Sequence, residues 1–331
     1  MAKRRILSGM RPTGRLHLGN LVGALMNWRA LQDEYECYFM VADYHALMSE
    51  YADPLKLCDN TREVVLDWLS CGLDPERSVI FRQSDVPGHA ELHLVLSCYT
   101  PISWLERCPT YKEQLQQISN RDLTNYAFLG YPCLQAADII IYKAHAVPVG
   151  EDQLPHLELT REIVRRFNSM VGTEVFPEPQ AKLTSAPRLL GLDRRKMSKS
   201  YGNQIDIADD AETVRLKVMT MITDPKRARR SDPGHPDECN VCDYYRVFCQ
   251  TDCPEVARKC RGAEWGCTDC KAKLAEVLNI FLSEPRARRQ ALEAESGAVE
   301  KVLACGAERA NAFAAQTMAQ VRSLTGLGAK P

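Results

Sequence analysis

The apolar positions along the chain fall into two regimes. As far as about Asn203, short apolar runs alternate with amphipathic stretches. "RRILSG" reads as a short strand, and the Gly/Pro-containing "RPTGRLHLGN" as the loop after it. Leu18, Leu21, Val22, Leu25 and Trp28 then recur at spacings of three and four, which predicts a helix with one buried stripe. "CYFMVAD", "SVIFRQSD" and "AHAVPVG" are further strand-length apolar runs, and the last is followed by the helical "EDQLPHLELTREIVRRFN". Strands that are continuously apolar and that alternate with helices predict a parallel sheet covered on both faces. Beyond Asn203 the pattern is helical throughout, in "DDAETVRLKVMTMIT", "CKAKLAEVLNIFLSEPRARRQALEAE" and "GAERANAFAAQTMAQVRSLTGLG". The expected organisation is an α/β domain with a doubly wound parallel sheet over 1–205, followed by an all-helical domain over 206–331.

Composition adds limits. A length of 331 residues fits about two domains of ~150 residues. The 45% hydrophobic and 26% charged content is that of a soluble globular protein. A net charge of -1 means that any nucleic-acid contact must use a local basic patch, of which Lys226, Arg227, Arg229 and Arg230 form one candidate and a solvated loop the alternative. No apolar run approaches the ~20 residues of a membrane span, and the basic start lacks an apolar segment behind it. A cytoplasmic protein with no membrane partner is expected. Of the 14 cysteines, six scattered ones suit small buried side chains in a reducing compartment, whereas seven crowd between Cys239 and Cys270.

Two polar segments carry candidate chemistry. In an open parallel sheet, ligands bind at the carboxyl ends of the strands. The first loop lies at such an end, and Gly9, Gly14 and Gly19 permit close backbone approach. His17 and Asn20, spaced i, i+3, share a face near the positive end of the following helix, where a charge-assisted His donor and a neutral Asn donor suit a phosphate. The alternative is a His and an Asn that merely cap that helix. The second segment, "LDRRKMSKSYGN", sets four basic side chains beside three hydroxyls, bounded by Gly191 and Gly202. Lys196 and Lys199 offer point charges, Ser198 and Ser200 hydroxyl donors, and a loop can close over a polyphosphate after it binds.

His17-Leu18-Gly19-Asn20 and Lys196-Met197-Ser198-Lys199-Ser200 resemble, in that order, the two signature motifs of class I aminoacyl-tRNA synthetases. The second matches in full; the first has Asn20 where the family has His. "YPCLQAADIIIY", "VPVGEDQ", "PTG", "ADYHAL" and "HLELTREI" resemble bacterial tryptophanyl-tRNA synthetases, over about Arg5 to Leu327. The resemblance implies a Rossmann-like catalytic domain and a helical anticodon-binding domain, a homodimer, and the substrates ATP with Mg2+, L-tryptophan and tRNA(Trp). It implies catalytic roles for His17, Asn20, Lys196 and Lys199. It implies an ATP site of Arg11, Pro12, Thr13, Gly19, Asn20, Gly150 and Asp152 with Lys196, Met197, Ser198, Lys199 and Ser200. Tyr131 and Gln153 would hold the α-ammonium group, and His45, Gln135, Val147 and Val149 would line the amino-acid pocket; Arg11 and Gln135 stand where some members carry Gln and Met. The residues themselves support a tryptophan pocket. Indole has one polar handle, an N–H that only donates, and Asp138 offers an acceptor between Ala136, Ala137 and Ile139–Ile141. A helix-surface aspartate is the alternative. A tyrosine-specific enzyme, whose pocket carboxylate meets a phenol, and a synthetase-like nucleic-acid-binding protein without catalysis are the competing functions.

The crowded cysteines admit two ligand sets. Cys239-x2-Cys242 with Cys267-x2-Cys270 has zinc-ribbon form. Cys239, Cys260, Cys267 and Cys270 are similar to the [4Fe–4S] set of a subset of bacterial tryptophanyl-tRNA synthetases, with the first gap two residues shorter. That resemblance implies a cluster in the helical domain, with Zn2+ as the alternative occupant.

Overall fold

The computed structural model describes residues 3–109, 111–112, 124–183 and 189–328. Five strands, β1 (Arg5–Met10), β2 (Glu36–Val41), β3 (Ser78–Arg82), β4 (Ala146–Val149) and β5 (Gln180–Leu183), form one parallel sheet in the order β3-β2-β1-β4-β5. The first four strands are those the apolar runs predict. β5, "QAKL", is a partly exposed edge strand with no apolar run to announce it.

Between and after the strands run helices α1 (18–34), α2 (Asp43–Glu50), α3 (Leu57–Ser70), α4 (Gly88–Ser97), α5 (Tyr126–Ile141), α6 (Leu154–Val171), α7 (Ala211–Thr220), α8 (Asn240–Phe248), α9 (Cys253–Arg261), α10 (Cys267–Ala294) and α11 (Ala298–Thr325). Among the described residues every regular element from Ala211 onward is helical. None of the described helices is long and apolar enough to cross a membrane.

Alternation along the strands divides the core into two layers. Ile6, Cys37, Phe39, Val41 and Ile80 pack with α1 and α3, where Trp28 stacks on Phe39 at 4.9 Å between ring centroids. Leu7, Tyr38, Met40, Val79 and Phe81 face the other way, onto α5, α6 and α11. The stripe predicted for α1 is buried as expected, but over Leu21–Leu25 the helix is a π-helix. That one extra residue per turn turns Gly23 and Ala24 toward a cavity beside β1.

The last helix returns to the sheet. Ala310, Ala314, Met318 and Val321 of α11 belong to the same layer as Leu7 and Tyr38. At Gly306 the approach is so close that a Cβ would stand 1.7 Å from the Ile80 carbonyl oxygen, so this position requires glycine.

Candidate active site

The sheet order reverses direction between β1 and β4, the topological switch point at which open α/β sheets bind ligands. β1 pairs with β2 over six residues but with β4 only at Ile6 and Ala146. Beyond that pair a cavity of about 390 Å³ opens, lined by Leu7–Met10 on one side and Val147–Gly150 on the other. The backbone is close-packed in that wall, where a Cβ at Gly9 would meet the Met40 carbonyl oxygen at 3.0 Å.

Helix α5 furnishes the floor. Tyr131, Gln135 and Asp138 stand at i, i+4 and i+7, so all three face the cavity. Asp138 is buried, 1% exposed, and not on the helix surface. Its Oδ1 accepts from Gln83 Nε2 at 2.8 Å and from His89 Nδ1 at 2.7 Å; its Oδ2 pairs with His45 Nε2 at 2.8 Å. His89 passes the contact on to the Tyr142 hydroxyl through Nε2 at 2.8 Å. Burial pushes the Asp138 carboxyl up, but the hydrogen bonds and charge of His45 and His89 more than reverse this and hold it at about 2. The group is therefore an ionised acceptor in an otherwise apolar wall of Val147, Val149 and Ile139. Of its supports, His45 is legible in the sequence; Gln83 and His89 are not, since both lie just past β3 with no motif around them.

Gln153, Gly150, Arg11 and His156 also line the cavity. The Tyr131 hydroxyl lies 3.3 Å from His156 Nε2, and Cys108 Sγ lies 3.4 Å from His156 Nδ1. Burial, then the charge of His45, lowers His156 to about 4, so it is a neutral orienting group for Tyr131. Asp152 is not part of the cavity wall; it accepts from Gln153 Nε2 at 2.8 Å. The exposed Arg11 donates to the Ser49 hydroxyl at 3.4 Å, and Pro12 is buried behind it.

Beside the cavity the two polar motifs meet, although nearly the whole catalytic half of the chain separates them. His17 and Asn20 form a reciprocal capping box: His17 Nδ1 accepts from Asn20 N at 3.3 Å and Asn20 Oδ1 accepts from His17 N at 3.1 Å. With Nδ1 used as an acceptor, the ring proton is on Nε2. Burial, followed by the charges of Lys199 and Lys196, lowers His17 to about 4. At about 4 the imidazole is neutral, with its proton on Nε2.

The lysine-bearing loop is anchored where no apolar period announced it. Met197 is buried, and its Sδ lies 3.3 Å from Gly19 N. Asn203 organises the turn by accepting from Ser198 N at 2.8 Å and donating to Asp193 at 2.6 Å. Lys199 Nζ reaches the Thr13 carbonyl oxygen at 2.6 Å, over Gly14, whose φ of +91° suits glycine. Burial lowers the Lys199 ammonium, while the carboxylates Asp206, Asp67 and Glu63 act the other way. Lys196 and Ser200 are exposed. Thr13, His17, Gly19, Asn20, Met197 and Lys199 are thus brought together, with Lys196 near enough for its charge to bear on His17.

In the helical region, Cys239, Cys242, Cys260, Cys267 and Cys270 all line one small closed cavity with Asp224, Arg227 and Trp265. Cys249 and Cys253 do not. Among the described residues these thiols do not close into a metal-ligand shell of three or more groups. A hydrogen bond from Cys242 lowers the Cys239 thiol to about 6, and the same bond raises Cys242. Within the basic stretch, Arg227 is turned inward to this cavity, Lys226 pairs with Glu238 at 2.6 Å and Arg230 with Asp269 at 3.1 Å.

Known proteins resemble this arrangement along the whole chain. The family of class I tRNA synthetases for tryptophan and tyrosine matches residues 2–283. The tryptophan–tRNA ligase of Thermotoga maritima is 49% identical over 321 residues, which cover 96% of this chain and 98% of that one. The tryptophan–tRNA ligase of Aquifex aeolicus is 41% identical, over 98% of this chain and 100% of its own. The crystal structure of tryptophanyl-tRNA synthetase from Campylobacter jejuni, complexed with ADP and tryptophan, has a TM-score of 0.89 and 32% identity, over 98% of this chain and 100% of that one. The chain therefore belongs to the class I tRNA synthetases, in the family of the tryptophan–tRNA ligases.

Proposed function

We propose that the chain activates L-tryptophan with ATP and transfers it to the 3′ end of tRNA(Trp), the observation that carries this being a buried, ionised Asp138 in an apolar cavity beside the two motif loops. Asp138 Oδ1 already takes two donors, whereas Oδ2 takes only His45 among the bonds around it. Oδ2 is the acceptor for the indole N–H. Val147, Val149 and Ile139 enclose the rings. Tyr131 and Gln153 meet the α-ammonium group, with Gln135 beside them. A phenylalanine side chain would leave the remaining acceptor position of Asp138 Oδ2 unmet, which a site built on a polar contact rejects.

The substrate carboxylate oxygen attacks the α-phosphorus of ATP. A carboxyl–phosphorus bond forms, the bond to the β-phosphate oxygen breaks, and its electron pair leaves with pyrophosphate. The neutral His17 Nε2–H and the Asn20 amide donate to oxygens that gain charge, while Lys199 and Lys196 follow the leaving group. Arg11, Pro12, Thr13, Gly19, Gly150, Asp152, Met197, Ser198 and Ser200 complete the nucleotide site. Mg2+ bound with ATP supplies charge neutralisation across the phosphates. A ribose hydroxyl of tRNA then attacks the acyl carbon and AMP leaves. No protein nucleophile is involved; the protein orients and stabilises charge.

Residues 206–331 contain the helical anticodon-binding part and 1–205 the catalytic sheet, to which α11 returns. The apolar depression lined by Tyr44, Leu47, Met48, Tyr51 and Leu134 supports pairing of two copies. The thiol cavity suits a [4Fe–4S] cluster on Cys239, Cys260, Cys267 and Cys270. Cys260, the ligand that separates this set from the zinc set, lines the cavity beside the cation Arg227, whose buried Nε has no partner among the described residues. Such a cluster would supply a rigid cross-link between α8, α9 and α10. Cys242 lines the same cavity, which keeps Zn2+ on Cys239, Cys242, Cys267 and Cys270 as the alternative.

ATP–pyrophosphate exchange measured with each amino acid in turn tests the assignment: tryptophan drives it, and exchange driven by tyrosine, or by none, refutes it. Lys199→Ala should lower single-turnover adenylate formation by ~10²–10³-fold while tryptophan binding changes little; an unchanged rate contradicts the phosphate role. Asp138→Ala should lose tryptophan activation by at least ~10²-fold, and normal exchange would show that the indole is read elsewhere. Protein purified without air should be brown and lose its colour in Cys260→Ser but not in Cys242→Ser. A colourless protein whose single zinc disappears in Cys242→Ser would decide for the zinc set.

A further inference from the structure

Behind the first motif loop lies a charge network that the activation chemistry above does not use. Asp67 of α3 is fully buried, 0% exposed. Its Oδ2 accepts from the backbone N–H of Leu16 at 2.6 Å, one residue before His17. Its Oδ1 accepts from Arg289 Nη1 at 2.5 Å. Arg289, 5% exposed, comes from the distant helix α10 and spends its remaining donors on Glu63 Oε2 at 2.7 Å and Glu293 Oε1 at 3.0 Å. Glu63 Oε2 also accepts from Arg15 Nε at 2.9 Å. The opposite edge of the loop is held by backbone bonds, Leu18 N to Ile205 O and Ile207 N to Leu16 O, each 2.9 Å. Leu16–Leu18 is thus fixed from two sides, and one side depends on a single guanidinium from outside the sheet.

We propose that Arg289 is a positioning residue for the activation step: by holding Asp67 as the acceptor for Leu16 N–H, it sets the place from which His17 donates. The reading rests on the activation chemistry proposed above. Burial pushes the Asp67 carboxyl up to about 6, and Arg289 and the Leu16 N–H act against that rise. The other groups that face it are Glu63, whose charge raises it further, Cys71 on the same helix, and Lys199, Arg15 and Glu293 in the surrounding network. Without Arg289 the carboxyl takes up a proton in the neutral range. A protonated Asp67 is a weaker acceptor for Leu16, and the loop loses that hold. A buried ion pair that served packing alone would affect stability and leave the setting of His17 unchanged.

The test compares Arg289→Met, Arg289→Lys and Asp67→Asn in the full-length protein. Val321→Ala serves as a control, destabilised in the core layer under α11. For Arg289→Met, kcat of pyrophosphate exchange should fall by ~10–10²-fold, a misplacement effect, while KM for the amino acid stays within about twofold. The acid limb of kcat should move to higher pH, so that activity recovers as pH rises toward ~9. Arg289→Lys, which restores the charge, should recover about half of the loss on a logarithmic scale. Asp67→Asn keeps the volume without the titrating group and should lose rate with no shifted limb; it stands in if Arg289→Met does not fold. Three results overturn the proposal: an unchanged kcat, a loss confined to KM, or a loss that matches Val321→Ala at equal folded fraction with no displaced limb. If a different amino acid drives exchange, the tryptophan assignment fails, while the ratio of variant to unsubstituted rate still reads the positioning role.

Discussion

The site depends on a short stretch of backbone pairing. Leu16–Leu18 and Ile205–Ile207 exchange two hydrogen bonds of 2.9 Å, with His17 bridged to Asp206. This seam draws the end of the lysine loop against the loop after β1, and Met197 then rests on Gly19. Without it the two motifs would be separate polar loops, each unable to surround a phosphate chain. Beside the seam the first helix opens with a capping box, in which Asn20 Oδ1 accepts from His17 N–H while Asn20 N–H is shared between His17 Nδ1 and the His17 carbonyl oxygen.

Around that seam the protein controls charge by burial rather than by accumulating it. His17 stands close to two lysines and is kept neutral at about 4, so it can donate a hydrogen bond without adding a third positive charge beside them. Asp138 and Asp67 are both buried carboxylates with opposite outcomes. Asp138, bonded by two histidines and Gln83, is held ionised at about 2 and can serve as a permanent acceptor for a ligand N–H. Asp67 is left at about 6, with its ionisation balanced on Arg289. One carboxylate faces the cavity as an acceptor, and the other holds the protein's own backbone.

Much of this was legible in the sequence. Four of the five strands are unbroken apolar runs, and the stripe from Leu18 to Trp28 names the first helix. The motif residues His17, Asn20, Lys196 and Lys199 stand in short, distinctive patterns, and Asp138 is conspicuous as the sole charge in an apolar run. What could not be read depended on contacts between residues far apart. Gln83 and His89 support Asp138 from beyond β3 and have no pattern of their own. Met197 looked like part of a polar loop, because its burial is created by Gly19 on another loop. The π-helical turn at Leu21–Leu25 preserves the same apolar spacing as an ordinary helix. The charge state of His17 follows from burial and from lysines about 180 positions away, neither of which is local information. Arg289 reads as one more arginine on an amphipathic helix until the fold places it against Asp67.

The central claim is that the two motif loops act as one device on the same phosphates. A double-mutant cycle on single-turnover adenylate formation, with His17→Gln and Lys199→Ala alone and combined, measures this directly. If the loops act together, the combined loss departs from the sum of the single losses by ~0.5–3 kcal/mol, as for side chains that share a target. Losses that add to within ~0.3–0.5 kcal/mol would mean that His17 and Lys199 act independently, and would contradict the account.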